Sequence, residues 1–259
     1  MLILGLAGNA GSGKDLVADR LVNNHGFTKM SFADPMKRFC RFAFGLYRET
    51  LWGPSEERNK DVEVDEKFWL TAIDSYRAEL FEILSAVPHD RMVQASVGLF
   101  DWLSNLRQNY KRKVSARTIL QTLGTEWGRS IDENMWSKYA LNTIRYIDEQ
   151  GLGYTQPTGV FRGAGLPKID KIVITDHRFA NEIQNTQAAG GYVIKIIRKA
   201  KEDEKEKKFG VEGHSSESVL KGLSNDYFDV VLSLDEGIEK VHAAVDALME
   251  GSPWQKKES

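Results

Sequence analysis

Residues 8–14, Gly8-Asn9-Ala10-Gly11-Ser12-Gly13-Lys14, have the types and spacing needed to hold a chain of phosphates. They fit G-x-x-x-x-G-K. Glycines let backbone N–H groups curl around phosphate oxygens, a following helix presents its positive end, and the lysine reaches the outer phosphates. Asn9, Gly11, Ser12, Gly13, Lys14, Asp15 and Leu16 are therefore the predicted nucleotide-cradling positions. After the lysine such loops carry Ser or Thr, whose hydroxyl binds magnesium; here the residue is Asp15. A carboxylate suits that ion through an ordered water, which makes Asp15 the candidate metal contact.

Further along, SARTILQTLGTEWGR (115–129) reads as a helix on which Arg117, Gln121 and Thr125 fall at i, i+4 and i+8. Ile119, Leu120 and Leu123 lie off that polar stripe and can pack. An exposed polar face is the default for such a pattern. Gly124 costs about 1 kcal/mol against Ala inside a helix, so it marks a helix end or the close approach of a ligand. Asp176 follows the apolar run 171–175, and the carboxyl end of a parallel strand is where α/β sheets place ligand-contacting groups. It is a second candidate for the magnesium or phosphate side. His177 has no second His or Cys nearby and is a poor metal ligand. Asp34 can cap a helix that Pro35 opens, with Lys37 and Arg38 as secondary substrate-facing candidates.

The elements that must position these residues alternate. Leu2–Ala7 is almost wholly apolar, as expected for a strand buried on both faces of a parallel sheet. Strands are also predicted at 27–32, 171–175, 192–197 and 229–233, and helices at 36–44, 132–149, 181–189 and 236–249. Segments 45–65 and 150–168 are rich in turn residues and read as loops, the first of them solvated. Two helices, 66–87 and 91–112, put Phe68, Trp69, Ile73 and Phe81 on one face, and Leu99, Trp102, Leu103 and Leu106 on another. They read as part of an inserted subdomain. Run 198–208 holds six basic and four acidic residues, a solvated segment or a lid over the donor. Arg198, at its start, is either a surface arginine or a contact for donor phosphates or adenine.

With 259 residues the chain can bury a real core, and 41% hydrophobic with 28% charged residues is ordinary globular composition. A formal net charge of -2 argues against broad nucleic-acid binding. Cys40 is the only cysteine, so no intrachain disulfide forms and a thiol-based zinc site is not expected. No apolar run approaches about 18 residues, and the N-terminus lacks signal-peptide anatomy. The expectation is a cytoplasmic protein without membrane or nucleic-acid partners.

Loop, middle helix and Asp176 segment together resemble the bacteriophage deoxynucleoside monophosphate kinases of the P-loop fold. The resemblance runs over most of the chain in order: GxxGSGKD at 8–15, SFADPMK at 31–37, WGPSEERN at 52–59, LQTLGTEWGR at 120–129, ITDHRFANE at 174–182 and HSSE at 214–217. Asp after the loop lysine is common in that family; Leu16 departs from its usual Thr, and Thr118 from a base found beside Arg117 in some relatives.

The resemblance implies an α/β, P-loop NTPase-type three-layer sandwich with a parallel sheet. It would form one domain over 1–259, with a mostly helical NMP-binding or lid insertion around 45–112 and a charged lid-like segment around 198–217. It implies an acceptor site of Arg117, Gln121, Gly124, Thr125, Trp136, Asp176, Arg178 and Glu182. In that site Arg117 and Arg178 suit a monophosphate bidentately, Gln121 a base edge, and Asp176 or Glu182 a sugar hydroxyl or magnesium water. Trp136 either stacks on the base or packs.

The activity implied is transfer of the ATP γ-phosphoryl group to a deoxynucleoside monophosphate, with Mg2+, and with Lys14, Arg117, Arg178 and Asp176 at the reacting centre. The partners implied are small nucleotides, with a homodimer left open and the host cytoplasm as location if phage-encoded. Two other readings compete: a P-loop kinase for another small acceptor, and a nucleotide-dependent switch or packaging ATPase.

Overall fold

A computed structural model describes residues 1–9, 11–63, 82–110, 113–163, 165, 167–198, 219–234, 237–251 and 254. The predicted face of Phe68, Trp69, Ile73 and Phe81, most of the charged run after Arg198, and HSSE lie outside those residues. In chain order the first elements are β1 (Leu2–Ala7), α1 (Lys14–His25), β2 (Thr28–Met30), α2 (Asp34–Ala43), α3 (Arg48–Trp52), α4 (Ser55–Asn59) and β3 (Asp61–Glu63). Next come α5 (Met92–Tyr110), β4 (Lys113–Ser115), α6 (Ala116–Thr122), a π-helical stretch (Leu123–Arg129), α7 (Met135–Gln150), β5 (Gly153–Thr155) and β6 (Gly159–Phe161). The chain closes with β7 (Lys171–His177), α8 (Ala180–Ala188), β8 (Tyr192–Arg198), β9 (Val230–Leu234) and α9 (Ile238–Glu250).

A five-stranded sheet in the order β2-β7-β1-β8-β9 carries the fold. Every pairing in it is parallel. Chain direction across the sheet reverses at β1: successive strands lie on one side of it, then the other, and ligands bind at such a switch point. Side chains alternate between two apolar layers, the period of two that a strand imposes. Ile3, Ile172 and Ile174 join α2, α5, α6 and α7 on one face. Leu4, Leu6 and Val173 join Val17 and Leu21 of α1 and Val241 and Val245 of α9 on the other. The result is the predicted helix–sheet–helix sandwich.

Gly5 has a packing reason inside β1. A Cβ there would overlap the His177 ring. His177 is fully buried, its Nε2 2.8 Å from Thr186 Oγ1 and its ring 4.8 Å edge-on from Phe32. It is a core histidine, and burial pushes its pKa down to about 4.

Local chemistry overturns several expectations. Segment 45–65 is not a solvated loop: it folds into α3, α4 and β3, with Leu46, Thr50 and Leu51 buried. Helices of five residues, with no side-chain caps, leave no periodic signal to read. Segment 150–168 contains the β5–β6 hairpin, turned by Gly159 at φ +75°. Residues 115–129 are not one α-helix, because Ser115 ends β4 and widened turns begin at Leu123. Asp34 is not a cap; it is the first residue of α2 and completely buried. At Gly124 a Cβ would sit 3.2 Å from Met36 Sδ, a close approach by a core side chain.

Candidate active site

The loop between β1 and α1 leaves the carboxyl edge of the sheet at its centre. Gly11 (φ +75°) and Gly13 (φ +97°) adopt the left-handed conformation that favours glycine, and Gly13 sits where α1 begins. At Gly8 a Cβ would come within 2.7 Å of both Ile196 O and Ser12 Oγ. Lys14 folds back over this loop, donating to the carbonyls of Gly8 (2.6 Å) and Asn9 (2.7 Å) and to Ser12 Oγ (3.4 Å). Burial, then the charge of Arg178, lowers its pKa to about 8, while Asp15 and Asp176 act in the opposite sense. Asp15 is exposed in the first turn of α1. Leu16 turns into the apolar layer beneath, leaving only its backbone to the loop. Arg198 stands half-buried at the end of β8, paired in register with Leu234.

Asp176 ends β7 beside the loop, with both carboxylate oxygens engaged. Oδ2 accepts from Ser31 Oγ (2.5 Å) and Ala33 N (3.1 Å), and Oδ1 from Phe32 N (2.8 Å). It thus fixes the start of α2. Asp34 continues the same construction from inside the core. Its carboxylate accepts from Ser31 N (2.8 Å), Trp52 Nε1 (3.1 Å), Tyr154 Oη (2.9 Å) and Gln156 Nε2 (3.1 Å). One buried anion therefore ties α2, α3 and the β5–β6 hairpin together. Burial raises its pKa, and Lys37, with Nζ 3.9 Å from Oδ1, opposes that shift. Lys37 is itself nearly buried over the Trp52 ring. Arg38 is tied to Gln156 O (3.2 Å) and Tyr139 Oη (3.1 Å), a structural post.

Helix α6 brings Arg117 and Gln121, both half-buried, alongside this framework. Ser115 caps it, accepting from Thr118 N at 3.1 Å, with the two hydroxyls 2.9 Å apart. The hydroxyl at position 118 is thus spent on the cap. Trp102 Nε1 donates to Thr122 Oγ1 at 3.0 Å, pinning the far end. The π-helical turns then bring Trp127 and Gly128 into the core and leave Thr125 half-buried. Trp136 is 97% covered, its Nε1 donates to Gly124 O at 2.9 Å, and its ring excludes any side chain at Gly128. Its geometry is that of packing, not of an exposed stacking platform.

Arg129, the last residue of the 120–129 motif, joins this helix to the Asp176 segment. Its guanidinium lies 3.6 Å from the Phe179 ring centroid and donates to Glu133 O (2.8 Å) and Asn181 Oδ1 (3.2 Å). Glu182 reaches back from the first turn of α8, accepting from the N–H groups of Arg178 (2.8 Å) and Phe179 (3.1 Å). Burial raises its pKa to about 7 despite those bonds. Glu182 thus fixes the backbone that presents Arg178. Arg58 on α4 also belongs to this neighbourhood: Asp15, Arg178 and Asp176 all act on its charge. The signals for Arg129 and Arg58 were the motifs at 120–129 and 52–59, whose side chains meet the Asp176 segment only in the fold.

A phosphate loop at the switch point of a parallel sheet, with Arg178 and Arg58 near enough to act on Lys14 and a polar helix packed on α2 and α4, is the arrangement of a P-loop kinase fold. The family model for deoxynucleotide monophosphate kinase matches residues 2–245. The chain belongs to that family. Among its relatives, a provisionally named deoxynucleotide monophosphate kinase of Acanthamoeba polyphaga mimivirus is 25% identical over 248 residues, covering 95% of this chain and 94% of the relative. The deoxynucleotide monophosphate kinase of Enterobacteria phage T4 is 23% identical, covering 76% and 82%. The deoxynucleoside-5'-monophosphate kinase of Escherichia phage T5 is 29% identical, covering 70% of each chain. Among the described residues no helix is long and apolar enough to cross a membrane, and no group of three or more His, Cys, Asp or Glu gathers as a metal site.

Proposed function

We propose that the chain transfers the γ-phosphoryl group of ATP to the 5'-phosphate of a deoxynucleoside monophosphate, giving the diphosphate and ADP. The observation that carries this reading is the convergence of Lys14, with its phosphate loop, and Arg178 on one edge of the sheet, with the Arg117–Gln121 face of α6 packed on the same framework. Family membership supports the same chemistry. In the reaction an acceptor phosphate oxygen forms the new P–O bond. The bond from the γ-phosphorus to the β–γ bridging oxygen breaks, and its electron pair leaves with ADP. The attacking oxygen is already ionised near neutral pH, so no base is required. That accords with His177 being locked in the core.

The chain's own contribution is positioning and charge. Loop N–H groups and the start of α1 cradle the donor phosphates, and Lys14 exchanges its loop carbonyls for phosphate oxygens. Arg117 and Arg178 hold the acceptor phosphate, and Gln121 and Thr125 offer polar groups to its nucleoside. Magnesium fits this donor set as an ion held mainly by phosphates and water. Asp15 is the exposed carboxylate that orders a water, because both Asp176 oxygens are engaged with residues 31–33. Bound there, the ion would neutralise charge on the transferring group. Coupled ADP release, measured across the four deoxynucleoside monophosphates with ATP and magnesium, should show turnover with at least one. Silence with all four overturns the reading.

A further inference from the structure

Helix α4, which ends the conspicuous segment WGPSEERN, has no part in the mechanism so far. It packs against α6. Its Arg58 is half-buried; Nη2 donates to Ser55 Oγ at 3.2 Å, whereas Nε is buried and meets no hydrogen-bond partner. Buried guanidinium N–H groups are seldom left so, because the desolvation is uncompensated. The ionic surroundings hold charges of both signs. Burial lowers the pKa of Arg58; Asp15 and Asp176 oppose that, and Arg178 adds to it. Lys14 and Lys37 in turn feel Arg58 as a neighbouring cation. Asp176 accepts from Ser31, Phe32 and Ala33, and none of its bonds comes from Arg58. Cations drawn together at the end of a phosphate loop repel one another, and a multiply charged anion among them turns that repulsion into binding.

We propose that Arg58 is a catalytic residue, its guanidinium contacting the phosphoryl group in transit between donor and acceptor. This rests on the kinase reading of the same site. The guanidinium keeps its protons throughout; it stabilises charge as the old P–O bond breaks and the new one forms. Geometry sets the role. Helix α4 packs against α6 while the charge of its arginine acts on Lys14 of the phosphate loop, so Arg58 lies between the two halves.

The experiment compares wild type, Arg58→Lys and Arg58→Ala in ADP release and, without turnover, in calorimetric binding of an analogue joining adenosine and a deoxynucleoside through five phosphates. Arg58→Ala should lower kcat by about 100-fold or more. It should also weaken the analogue by at least about 10-fold while ADP affinity and melting temperature hold, because ADP lacks the contacted group. Arg58→Lys should recover part of the analogue affinity through charge alone, and added guanidinium should restore turnover to Arg58→Ala. Equal turnover and equal analogue binding across the three proteins overturn the assignment, as does equal loss of ADP and analogue affinity. A wild type that turns over nothing yet binds the analogue in an Arg58-dependent way sinks the kinase reading and leaves the phosphate contact standing.

Discussion

On the proposed donor side, the groups offered to phosphate lie within residues 8–15, and most are backbone N–H groups shaped by glycines at positive φ. On the proposed acceptor side they come from segments 52–59, 117–125 and 176–182, which contacts between residues distant in sequence bring together. There the organisers are carboxylates, Asp34 and Glu182 buried and Asp176 half-buried. Asp176 holds the start of α2, Asp34 holds three elements at once, and Glu182 holds the backbone of Arg178. The difference is physical: a backbone cradle needs only local dihedral freedom, whereas a side-chain cradle needs a core that fixes distant segments to within a fraction of an ångström. Donor-side changes should therefore damage chemistry and spare the fold, and acceptor-side changes should do both.

The largest effect is expected at Lys14. Lys14→Ala should reduce kcat/KM by about 100- to 1,000-fold with little change in melting temperature, since the lysine bonds only its own loop. It also carries a proton signature. With its pKa lowered to about 8, part of the ammonium is deprotonated in the free protein above that pH, and donor phosphates raise the pKa again. ATP binding at about pH 8.5 should then take up protons in wild type, visible as a calorimetric heat that varies with buffer ionisation enthalpy. The same uptake in Lys14→Ala would place the titration elsewhere.

Asp34 tests the other half. Asp34→Ala strands the N–H of Ser31, the indole N–H of Trp52, the Tyr154 hydroxyl and the Gln156 amide, and leaves Lys37 without its nearest carboxylate. Urea unfolding should show a loss of about 3–5 kcal/mol, the usual result of removing one partner from a buried ionic network. In whatever remains folded, affinity for the acceptor should fall more than affinity for ATP, because the loop does not touch Asp34. Parallel losses of both affinities would erase the distinction between the halves.

The same contrast explains what could be read from sequence. Loop, Lys14 and the five strands announce themselves through glycine spacing and apolar runs, signals that survive without tertiary context. Asp176 and the Arg117–Gln121 stripe were legible as candidates, but not the work Asp176 does, because Ser31 reaches it from 145 positions away. Arg58 was hidden among acids in a segment whose five-residue helices carry no period. Asp34 beside Pro35 reads locally as a cap, and only the arrival of Trp52, Tyr154 and Gln156 makes it a core anion. Gly124 was visible as a cost to a helix, yet the side chain packed against it, Met36, is supplied by another element, as is the Trp136 ring that closes on Gly128.

The smallest effect concerns Glu182, and its sign separates a buried clamp from a solvated one. In the folded chain its pKa is raised to about 7 from 4.5, with burial the leading cause. Between those values the folded state holds a proton that the unfolded state has lost, so this group's contribution to stability falls as pH rises through that window. His177 works in the opposite direction: its pKa is lowered from 6.5 to about 4, so its contribution rises with pH across 4 to 6.5. In wild type the two slopes oppose each other over most of their range. Glu182→Gln removes one and should expose the other, giving a variant that loses stability on acidification more steeply than wild type does. Expressed as wild type minus variant, unfolding free energy should drop by up to about 3 kcal/mol from pH 4.5 to 7. A difference that stays constant between those two pH values would mean that Glu182 titrates in the folded chain as it does in the unfolded one. Arg178 would then be presented by a clamp open to water.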